Sequence, residues 1–371
     1  MRTLREVTDA LRADQTDVRG TTVPARFARP DRAHLAVRSG VGVTVHPWGI
    51  LEVAGDDRRS FLGDTLSCRL PQAEGSITYG FLLDPDGRIE ADCYVADVGD
   101  ALLCLTGPGT AASLAATLGS RTFIQDVEVT DRSGEHAVIG LHGPAVETKL
   151  SSVFRRGNVP ESRLRLDRGV IREEGVTALR LDAPAGEPGI AILCRLEAAG
   201  AIFDALVSLG SPAAPFGYET WLDLTLEAAT PLLETELEGR QANVCGQIGT
   251  AVDLDKGCFV GQEAVARVAN LAAPRKRLVG LHLEDEPPGR EVLLDDESVG
   301  VVTRHAKSPV LGSTIAFGVV EANAVDATLS AGGGSAAVTA RAAALPFVEG
   351  SERSGRVPAF PSDPSGTSKK S

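Results

Sequence analysis

The sequence contains little lysine and few aromatic residues. Of its 371 residues, 37 are Lys or Arg and 4% are aromatic. The lysines are Lys149, Lys256, Lys276, Lys307, Lys369 and Lys370. This composition, combined with an acidic balance, is typical of halophilic proteins, and a coding bias towards Arg and Ala explains it equally well. In either case it describes how the surface is solvated and indicates no function.

Long apolar runs and an excess of positive charge are also absent. No apolar run approaches the roughly 20 residues that cross a bilayer, and residues 1–9 lack the apolar core of a signal peptide. A net charge of −13 argues against a basic stripe for a phosphate backbone. The sequence therefore predicts a cytoplasmic protein that binds neither membranes nor nucleic acids.

Cysteines and histidines are present without metal-binding spacings. The cysteines, which include no C-x-x-C pair, are Cys68, Cys93, Cys104, Cys194, Cys245 and Cys258. The six histidines form no H-x-x-H or H-E-x-x-H pattern. We therefore expect no disulfide framework and no zinc site, and we expect most of the thiols to be reduced and buried.

The order of predicted elements divides the chain into two or three domains, as its length suggests. Strands and helices mix without strict βα alternation, which indicates an α+β fold. We expect an N-terminal arm with one short helix over residues 1–30. An α+β body of two interleaved subdomains should cover residues 31–274, and a small β-barrel residues 275–348. Residues 349–371, rich in Ser, Gly and Pro, predict a disordered tail.

Turn and capping residues predict individual elements. Asp84-Pro85-Asp86-Gly87 separates two apolar runs and predicts a β-hairpin, because Pro fixes φ and Gly accepts a positive φ. Residues 55–62 predict a helix start with a capping carboxylate. Further strands are predicted at 101–106, 137–141 and 189–196, and further helices at 110–118 and 197–209.

The segment 255–263 carries the most chemistry. Cys258 stands between Gly257 and Gly261, so the backbone around a thiol is bare and accessible. Lys256 favours the thiolate, the form that acts as a nucleophile or a metal ligand. Gln262 and Glu263 then begin a predicted helix, where a carboxylate suits the N-terminal dipole. The alternative is that Cys258 only packs and that the glycines only turn the chain.

That segment resembles a known signature. Lys-Gly-Cys-aromatic-x-Gly-Gln-Glu at residues 256–263 is similar, at every fixed position, to the motif of the YgfZ proteins. These are folate-dependent factors for iron–sulfur cluster assembly or repair. Glycine-cleavage T-proteins, the aminomethyltransferases of the same superfamily, keep only Lys-x-x-Phe-x-Gly. The resemblance implies a catalytic role for Cys258 as nucleophile, redox group or ligand of a transient cluster. It also implies that Lys256, Gln262 and Glu263 lie at the folate site.

The likeness extends over residues 31–325. Further matching segments are 55–62, 83–92, 141–144, 217–231 and 300–309. The resemblance implies a three-domain aminomethyltransferase-like fold around a central hole that holds tetrahydrofolate, with a small C-terminal β-barrel. We expect a monomer that binds folate and contacts iron–sulfur client proteins or carrier proteins.

A pterin needs a carboxylate that accepts paired hydrogen bonds from its amino-pyrimidine edge. By resemblance, Asp92 falls at the aspartate of the superfamily's folate hairpin, where it would bind and orient the reacting folate. Tyr79 and Tyr94 on the predicted strands could stack on the pterin. Each of the three has a plainer alternative as an ordinary strand residue.

The sequence departs from the T-protein pattern at three charged positions. Ala91 replaces the first of two aspartates, Ala191 replaces a glutamate, and Thr225 replaces an arginine. Removing one partner of a buried charged pair typically costs about 2–5 kcal/mol. Pterin contacts rebuilt from other carboxylates would come from Glu187, Glu227 or Glu234.

Two functions follow from the resemblance. The leading hypothesis is a tetrahydrofolate-binding protein of the YgfZ type that supports iron–sulfur cluster assembly or repair. The alternative is a folate-dependent aminomethyltransferase that moves a one-carbon unit from a lipoyl carrier to tetrahydrofolate. A detached folate domain of a sarcosine- or dimethylglycine-oxidising enzyme is disfavoured, because no flavin-binding Gly-x-Gly-x-x-Gly fold is present.

Overall fold

The structure, a computed structural model, describes residues 2–122, 124–210, 213–271 and 274–360. Within these ranges no helix is both long and apolar enough to span a bilayer. The α-helices are α1 (Leu4–Ala10), α2 (Pro30–Ser39), α3 (Arg58–Thr65), α4 (Ala111–Gly119), α5 (Val146–Ser151), α6 (Leu196–Val207), α7 (Tyr218–Glu227) and α8 (Gln262–Leu271). A π-helical turn covers Leu233–Leu237 and a 3-10 turn covers Gly334–Ala336.

The strands form three larger sheets and one hairpin. In chain order they are β1 (Asp14–Val18), β2 (Thr21–Arg26), β3 (Val41–His46), β4 (Gly49–Ala54), β5 (Ile77–Leu83), β6 (Ile89–Asp97), β7 (Leu102–Thr106), β8 (Glu128–Asp131), β9 (His136–His142), β10 (Arg165–Ile171), β11 (Glu174–Arg180), β12 (Gly189–Arg195), β13 (Ala213–Pro215), β14 (Lys276–Leu283), β15 (Glu291–Leu294), β16 (Glu297–Lys307), β17 (Thr314–Glu321), β18 (Leu329–Ala331) and β19 (Val338–Ala343).

Two sheets form the body of the molecule. The six-stranded sheet has the order β10-β11-β12-β9-β3-β13, and the five-stranded sheet has the order β5-β6-β7-β4-β8. Strand pairs are antiparallel except β13 with β3. Each sheet combines a run of consecutive strands, β10-β11-β12 or β5-β6-β7, with strands from other parts of the chain, so the chain passes between the two sheets instead of completing one before it starts the other.

The last six strands close into a barrel in the order β14-β17-β16-β15-β18-β19, with β19 pairing back onto β14. Its interior is apolar, with Leu281, Val292 and Ala331 buried. The α+β fold class and the C-terminal β-barrel predicted from the sequence are confirmed.

The hairpin predicted at Asp84–Gly87 joins β5 to β6. Gly87 has φ +75°, a left-handed conformation that glycine adopts without strain, and its N–H donates to the Asp84 carbonyl at 3.0 Å. The two strands then pair from Leu83 with Ile89 to Ile77 with Ala96. This pairing places Tyr79 directly opposite Tyr94, and Phe81 opposite Asp92.

The N-terminal residues are more ordered than the sequence predicts. Instead of an arm with one short helix, residues 1–30 contain α1 and the hairpin β1–β2. Val7 and Val23 are buried in the main core, and α1 packs on α6. The β-branched run Thr21-Thr22-Val23 favours the extended conformation that this hairpin requires.

The predicted disordered tail is wrong for residues 349–360. The segment that follows β19, here called the strap (residues 344–360), crosses the body and hydrogen-bonds to it. Backbone N–H groups of Glu352, Gly355 and Ala359 donate to carbonyls of Gly186, Asp182 and Gly246 at 2.8–3.1 Å. Its composition cannot build a core of its own, but carbonyls of the body supply the partners that its backbone needs. The rest of the predicted tail, 361–371, lies outside the described residues.

Candidate functional site

A narrow cavity, here called the central cavity, lies between the five-stranded sheet, helix α7, the π-helical turn and the strap. Its walls include Tyr79, Asp92 and Tyr94, which the sequence analysis singled out, together with Glu234. Aromatic surface comes from Trp48, Tyr218 and Trp221, and the strap contributes Arg356. The structure therefore brings the three predicted pterin contacts of the hairpin strands to one site.

Asp92 is held rigidly in the cavity wall. The Tyr79 hydroxyl donates to Oδ2 at 2.6 Å, and the backbone N–H of Gly107 donates to Oδ1 at 3.2 Å. Burial raises the pKa of Asp92 above its ordinary value, although both hydrogen bonds and the charge of Arg356 oppose that shift. A fixed carboxyl group whose pKa is raised is suited to orienting a ligand nitrogen and to exchanging a proton with it.

Glu234 is a second carboxyl group in the cavity. It lies on the π-helical turn and accepts a short hydrogen bond from the hydroxyl of Tyr218 on α7. Burial raises its pKa as well. Of the three glutamates proposed to rebuild pterin contacts, Glu234 is the one that lines the cavity.

Arg356 fills the space in front of the tyrosines. Its guanidinium Cζ lies 4.5 Å from the ring centroid of Tyr79 and 5.5 Å from that of Tyr94. Its Nη2 donates to the Tyr94 hydroxyl at 3.0 Å, and its Nε lies 3.1 Å from Oδ2 of Asp182. The Tyr94 hydroxyl in turn donates to Oδ1 of Asp182. The guanidinium of Arg356 thus has two aromatic rings and a buried carboxylate as its partners.

The free volume that remains is small. With Arg356 in place, the central cavity measures about 20 Å³, whereas pockets for small molecules typically measure about 300–1,000 Å³. A single water molecule fits into 20 Å³. The cavity as it stands therefore has no room for a pterin beside Arg356.

Glu187 and Glu227 lie outside the central cavity. Both are fully buried and share the guanidinium of Arg38, at 3.2 Å and 2.6 Å respectively. Glu227 also accepts hydrogen bonds from His34 and from Ser308 of the barrel. Burial would raise the pKa of Glu227, but these partners outweigh it and the pKa is lowered.

The carboxylates of the two glutamates are engaged by other partners. Their carboxylates already pair with Arg38, and Glu187 also accepts from the backbone N–H of Ser351 in the strap at 3.0 Å. The cluster of Arg38, Glu187 and Glu227 ties α2, α7, the barrel and the strap together. Its evident role is structural.

Cys258 and Lys256 line a separate surface groove, here called the outer groove. It measures about 430 Å³ and includes Arg59 and Arg69 but none of the residues of the central cavity. Cys258 is exposed, whereas the five other cysteines are buried. Lys256 lies over the ring of Phe259 at 4.9 Å and donates to the carbonyl of Gly63, so it is held on this side of the chain. Burial lowers its pKa.

The predicted helix at Gln262 is confirmed as α8, but its first residues do not reach Asp92. The Gln262 side chain donates to the carbonyl of Leu254 at 3.3 Å, which fixes the loop before the helix. Glu263 points to solvent at the first turn. The structure therefore does not bring Lys256, Cys258, Gln262 or Glu263 into the central cavity, whose walls include Tyr79, Asp92 and Tyr94.

Potential metal ligands do not cluster in the described part of the chain, where no group of three or more His, Cys, Asp or Glu side chains could hold a metal ion.

Sequence reasoning missed Asp182 and Arg356. Asp182 stands alone between Leu181 and Ala183 just after β11, and a lone carboxylate among apolar residues at a strand end is a recognisable signal. Arg356 gave no signal, because its position depends on contacts with residues more than 100 positions away.

Family models match most of the chain. Residues 4–256 match the GCVT N-terminal domain, and residues 276–349 match the glycine cleavage T-protein C-terminal barrel domain. The chain is 29% identical over 332 residues to an aminomethyltransferase of Herpetosiphon aurantiacus, covering 85% of this chain and 88% of that protein. It is 30% identical over 315 residues to an aminomethyltransferase of Geobacillus kaustophilus, covering 82% and 85%.

A solved structure has the same fold. The crystal structure of glycine cleavage system aminomethyltransferase T from Bartonella henselae superimposes with a TM-score of 0.81 over 95% of this chain and 98% of that one. The two sequences are 20% identical, so this likeness concerns the fold alone. It agrees with the three-domain architecture implied by the sequence resemblance.

Proposed function

Since the chain belongs to the glycine cleavage T-protein family, we propose that it binds a reduced folate in the central cavity and works as a folate-dependent aminomethyltransferase. Tetrahydrofolate would accept a one-carbon unit brought as an aminomethyl group on a lipoyl carrier protein. The aminomethyltransferase names of the relatives support this function over the YgfZ type, which was the leading hypothesis from the sequence.

The observation that carries the proposal is the setting of Asp92. Its carboxyl group is buried, faces the cavity, is fixed on both oxygens by Tyr79 and Gly107, and has a raised pKa. Transfer of the carbon forms two C–N bonds to folate and removes one proton from each of the two folate nitrogens. The C–S bond to the lipoyl group and the C–N bond to the amino group break, so the two protons leave with the lipoyl thiol and with ammonia. A carboxylate beside one of these nitrogens accepts its proton more readily when its pKa is raised.

The types of side chain around Asp92 are those that a reduced pterin requires. Trp48, Tyr79 and Tyr94 supply aromatic faces, and Glu234 supplies an acceptor for the amino-pyrimidine edge. When bound, tetrahydrofolate supplies the nucleophilic nitrogens of the reaction. The protein's residues orient them, exclude water and move the proton.

The charged positions that T-proteins keep and this chain lacks are partly compensated. Arg304 of β16 donates to the hydroxyl of Thr225 at 2.8 Å and pairs with Glu236 at 3.1 Å, which puts a guanidinium next to the residue that replaces the family's arginine. Ala91 and Ala191 carry no charge themselves. We therefore expect activity below that of a T-protein that keeps all three charges.

The test is turnover with aminomethylated lipoyl carrier protein and tetrahydrofolate, read as release of ammonia. We expect wild type and Cys258→Ala to turn over, and Asp92→Asn to lose activity by about 100-fold or more. Asp86→Asn, in the exposed turn of the same hairpin, is the matched control and should behave as wild type. Turnover retained by Asp92→Asn would contradict the proposal.

A second candidate function, support of iron–sulfur clusters of the YgfZ type, is favoured by one observation. Cys258 is the exposed thiol of the chain, and it lies in the outer groove among Arg59, Arg69 and Lys256. An exposed thiol in an open groove is accessible to a client protein.

This candidate is tested by disrupting the gene and assaying cluster-dependent enzymes after complementation. Under the iron–sulfur function, Cys258→Ala fails to restore them. Ser60→Ala, an exposed neighbour in the same groove, restores them fully. Full rescue by Cys258→Ala would remove this candidate and leave the transferase proposal intact.

A further inference from the structure

The strap places one buried cation, Arg356, in the wall of the central cavity. Between residues 349 and 360, Ser354 and Arg356 are the buried residues, and Arg356 is only 4% exposed. The neighbouring Arg353 is exposed. The cavity therefore buries Arg356 of the strap but not Arg353.

The chemistry of the cavity explains why it binds the guanidinium of Arg356. A guanidinium is planar and has three nitrogens around one carbon, with N–H groups along its edges. The 2-amino-4-oxo-pyrimidine ring of a pterin has the same N–C(–NH₂)–N unit at one edge. Both groups need an aromatic face on which to stack and a carboxylate at the edge. Tyr79 and Asp182 supply these two features to Arg356.

The fit of Arg356 is incomplete. Its Nε is 3.1 Å from Asp182, yet it makes no hydrogen bond of acceptable geometry. Beyond Val348 the strap is anchored by backbone hydrogen bonds, by the ion pair of Glu352 with Arg180 and by a hydrogen bond from Thr230 to Ser354, and Val357 packs on the core only partly buried. Segments held in this way open at low cost compared with a packed core.

We infer that Asp182, Tyr79 and Tyr94 form the subsite for the amino-pyrimidine edge of the ligand, and that Arg356 occupies this subsite as an intramolecular competitor. The strap and the ligand exclude each other, since the cavity retains about 20 Å³ beside Arg356. The inference rests on the proposed function for the identity of the ligand. It adds a residue assignment, Asp182, and a gate that limits access to Asp92.

The test is calorimetric titration of tetrahydrofolate, under argon, into the full chain. Three proteins are compared: wild type, Arg356→Ala and the matched control Arg353→Ala. If the strap closes the cavity in nine molecules of ten, its release strengthens apparent binding about tenfold. We expect a gain of at least tenfold for Arg356→Ala and none for Arg353→Ala.

Hydrogen exchange on wild type gives a second measurement that does not depend on the variant folding well. Adding tetrahydrofolate should increase exchange at the backbone N–H groups of Glu352, Gly355 and Ala359, because the strap leaves the body. Equal folate affinity in all three proteins would overturn the inference, and so would folate binding that leaves hydrogen exchange at the strap's backbone N–H groups unchanged. Either result would leave the proposed function standing. Absence of binding in every protein would overturn both.

Discussion

Tyr79 and Asp92, on the paired strands β5 and β6, are joined by a hydrogen bond of 2.6 Å from the phenolic hydroxyl to Oδ2. The two residues lie two ladder positions apart, so their side chains reach the same face of the sheet by a diagonal contact. The hydroxyl fixes the direction in which the carboxyl group faces the cavity. The proposed binding of folate at Asp92 depends on this arrangement.

The first prediction concerns that hydrogen bond. Tyr79→Phe keeps the ring and removes the donor, leaving a buried carboxyl oxygen without its partner. We expect the free energy of unfolding to fall by about 1–3 kcal/mol, measured by urea denaturation. An unchanged denaturation midpoint would show that the contact does not form in solution.

The second prediction concerns pH. Burial on α7 raises the pKa of Asp223 to about 6. A carboxyl group whose pKa is higher in the folded than in the unfolded protein favours folding below about pH 4, and that contribution is lost as the pH rises through 6. Asp223→Asn should therefore be more stable than wild type at pH 7.5, by about 1–3 kcal/mol, and similar to it at pH 4. A difference that does not change with pH would contradict the raised pKa.

The third prediction separates structure from ligand binding at Glu227. Glu227→Gln weakens its contacts with His34, Arg38 and Ser308, so we expect a loss of stability of about 2–4 kcal/mol. Glu219→Gln, on an exposed position of the same helix, should change stability by less than about 0.5 kcal/mol. Calorimetric unfolding measures both.

The folate affinity of Glu227→Gln completes this test. If the residue is structural, the folded variant should bind tetrahydrofolate as wild type does. Weakened binding at temperatures where the variant is fully folded would return Glu227 to the ligand site.

The fourth prediction concerns thiol reactivity. Cys258 is exposed and the other five cysteines are buried, so a maleimide should label the native protein once. Mass spectrometry of peptides should place the label on Cys258, and Cys258→Ser should remove it. Six labels should appear after unfolding in urea. Rapid native labelling of any second cysteine would contradict the burial seen here.

Local signals in the sequence predicted much of the fold. The turn Asp84–Gly87, the helix start at Gln262 and the strand and helix at 189–207 depend on neighbours in sequence, and the structure has them. At the predicted helix start near residue 57, Asp57 is the N-cap residue, but its side chain accepts from the N–H of Asp126 instead of capping α3.

The sequence did not predict contacts between residues that are far apart in the chain. Glu187 and Glu227 read as free carboxylates because Arg38, their partner, lies about 150 and 190 positions earlier. Residues 349–360 read as disordered because their composition is polar, although carbonyls of the body bind them. Lys256, Gln262 and Glu263 were expected at the folate site, yet the segment that contains Lys256 and Cys258 opens onto the outer groove. The sequence thus predicted the chemical character of single residues better than it predicted which residues lie next to them in the fold.

The most direct test of the account is calorimetric titration of tetrahydrofolate into wild type, Asp92→Asn and Asp86→Asn. A charge-assisted hydrogen bond contributes about 1.5–3 kcal/mol, which corresponds to about a 10- to 150-fold change in affinity. We predict that Asp92→Asn binds at least tenfold more weakly than wild type and that Asp86→Asn binds equally well. Equal affinity of all three proteins would contradict the assignment of the central cavity as the folate site.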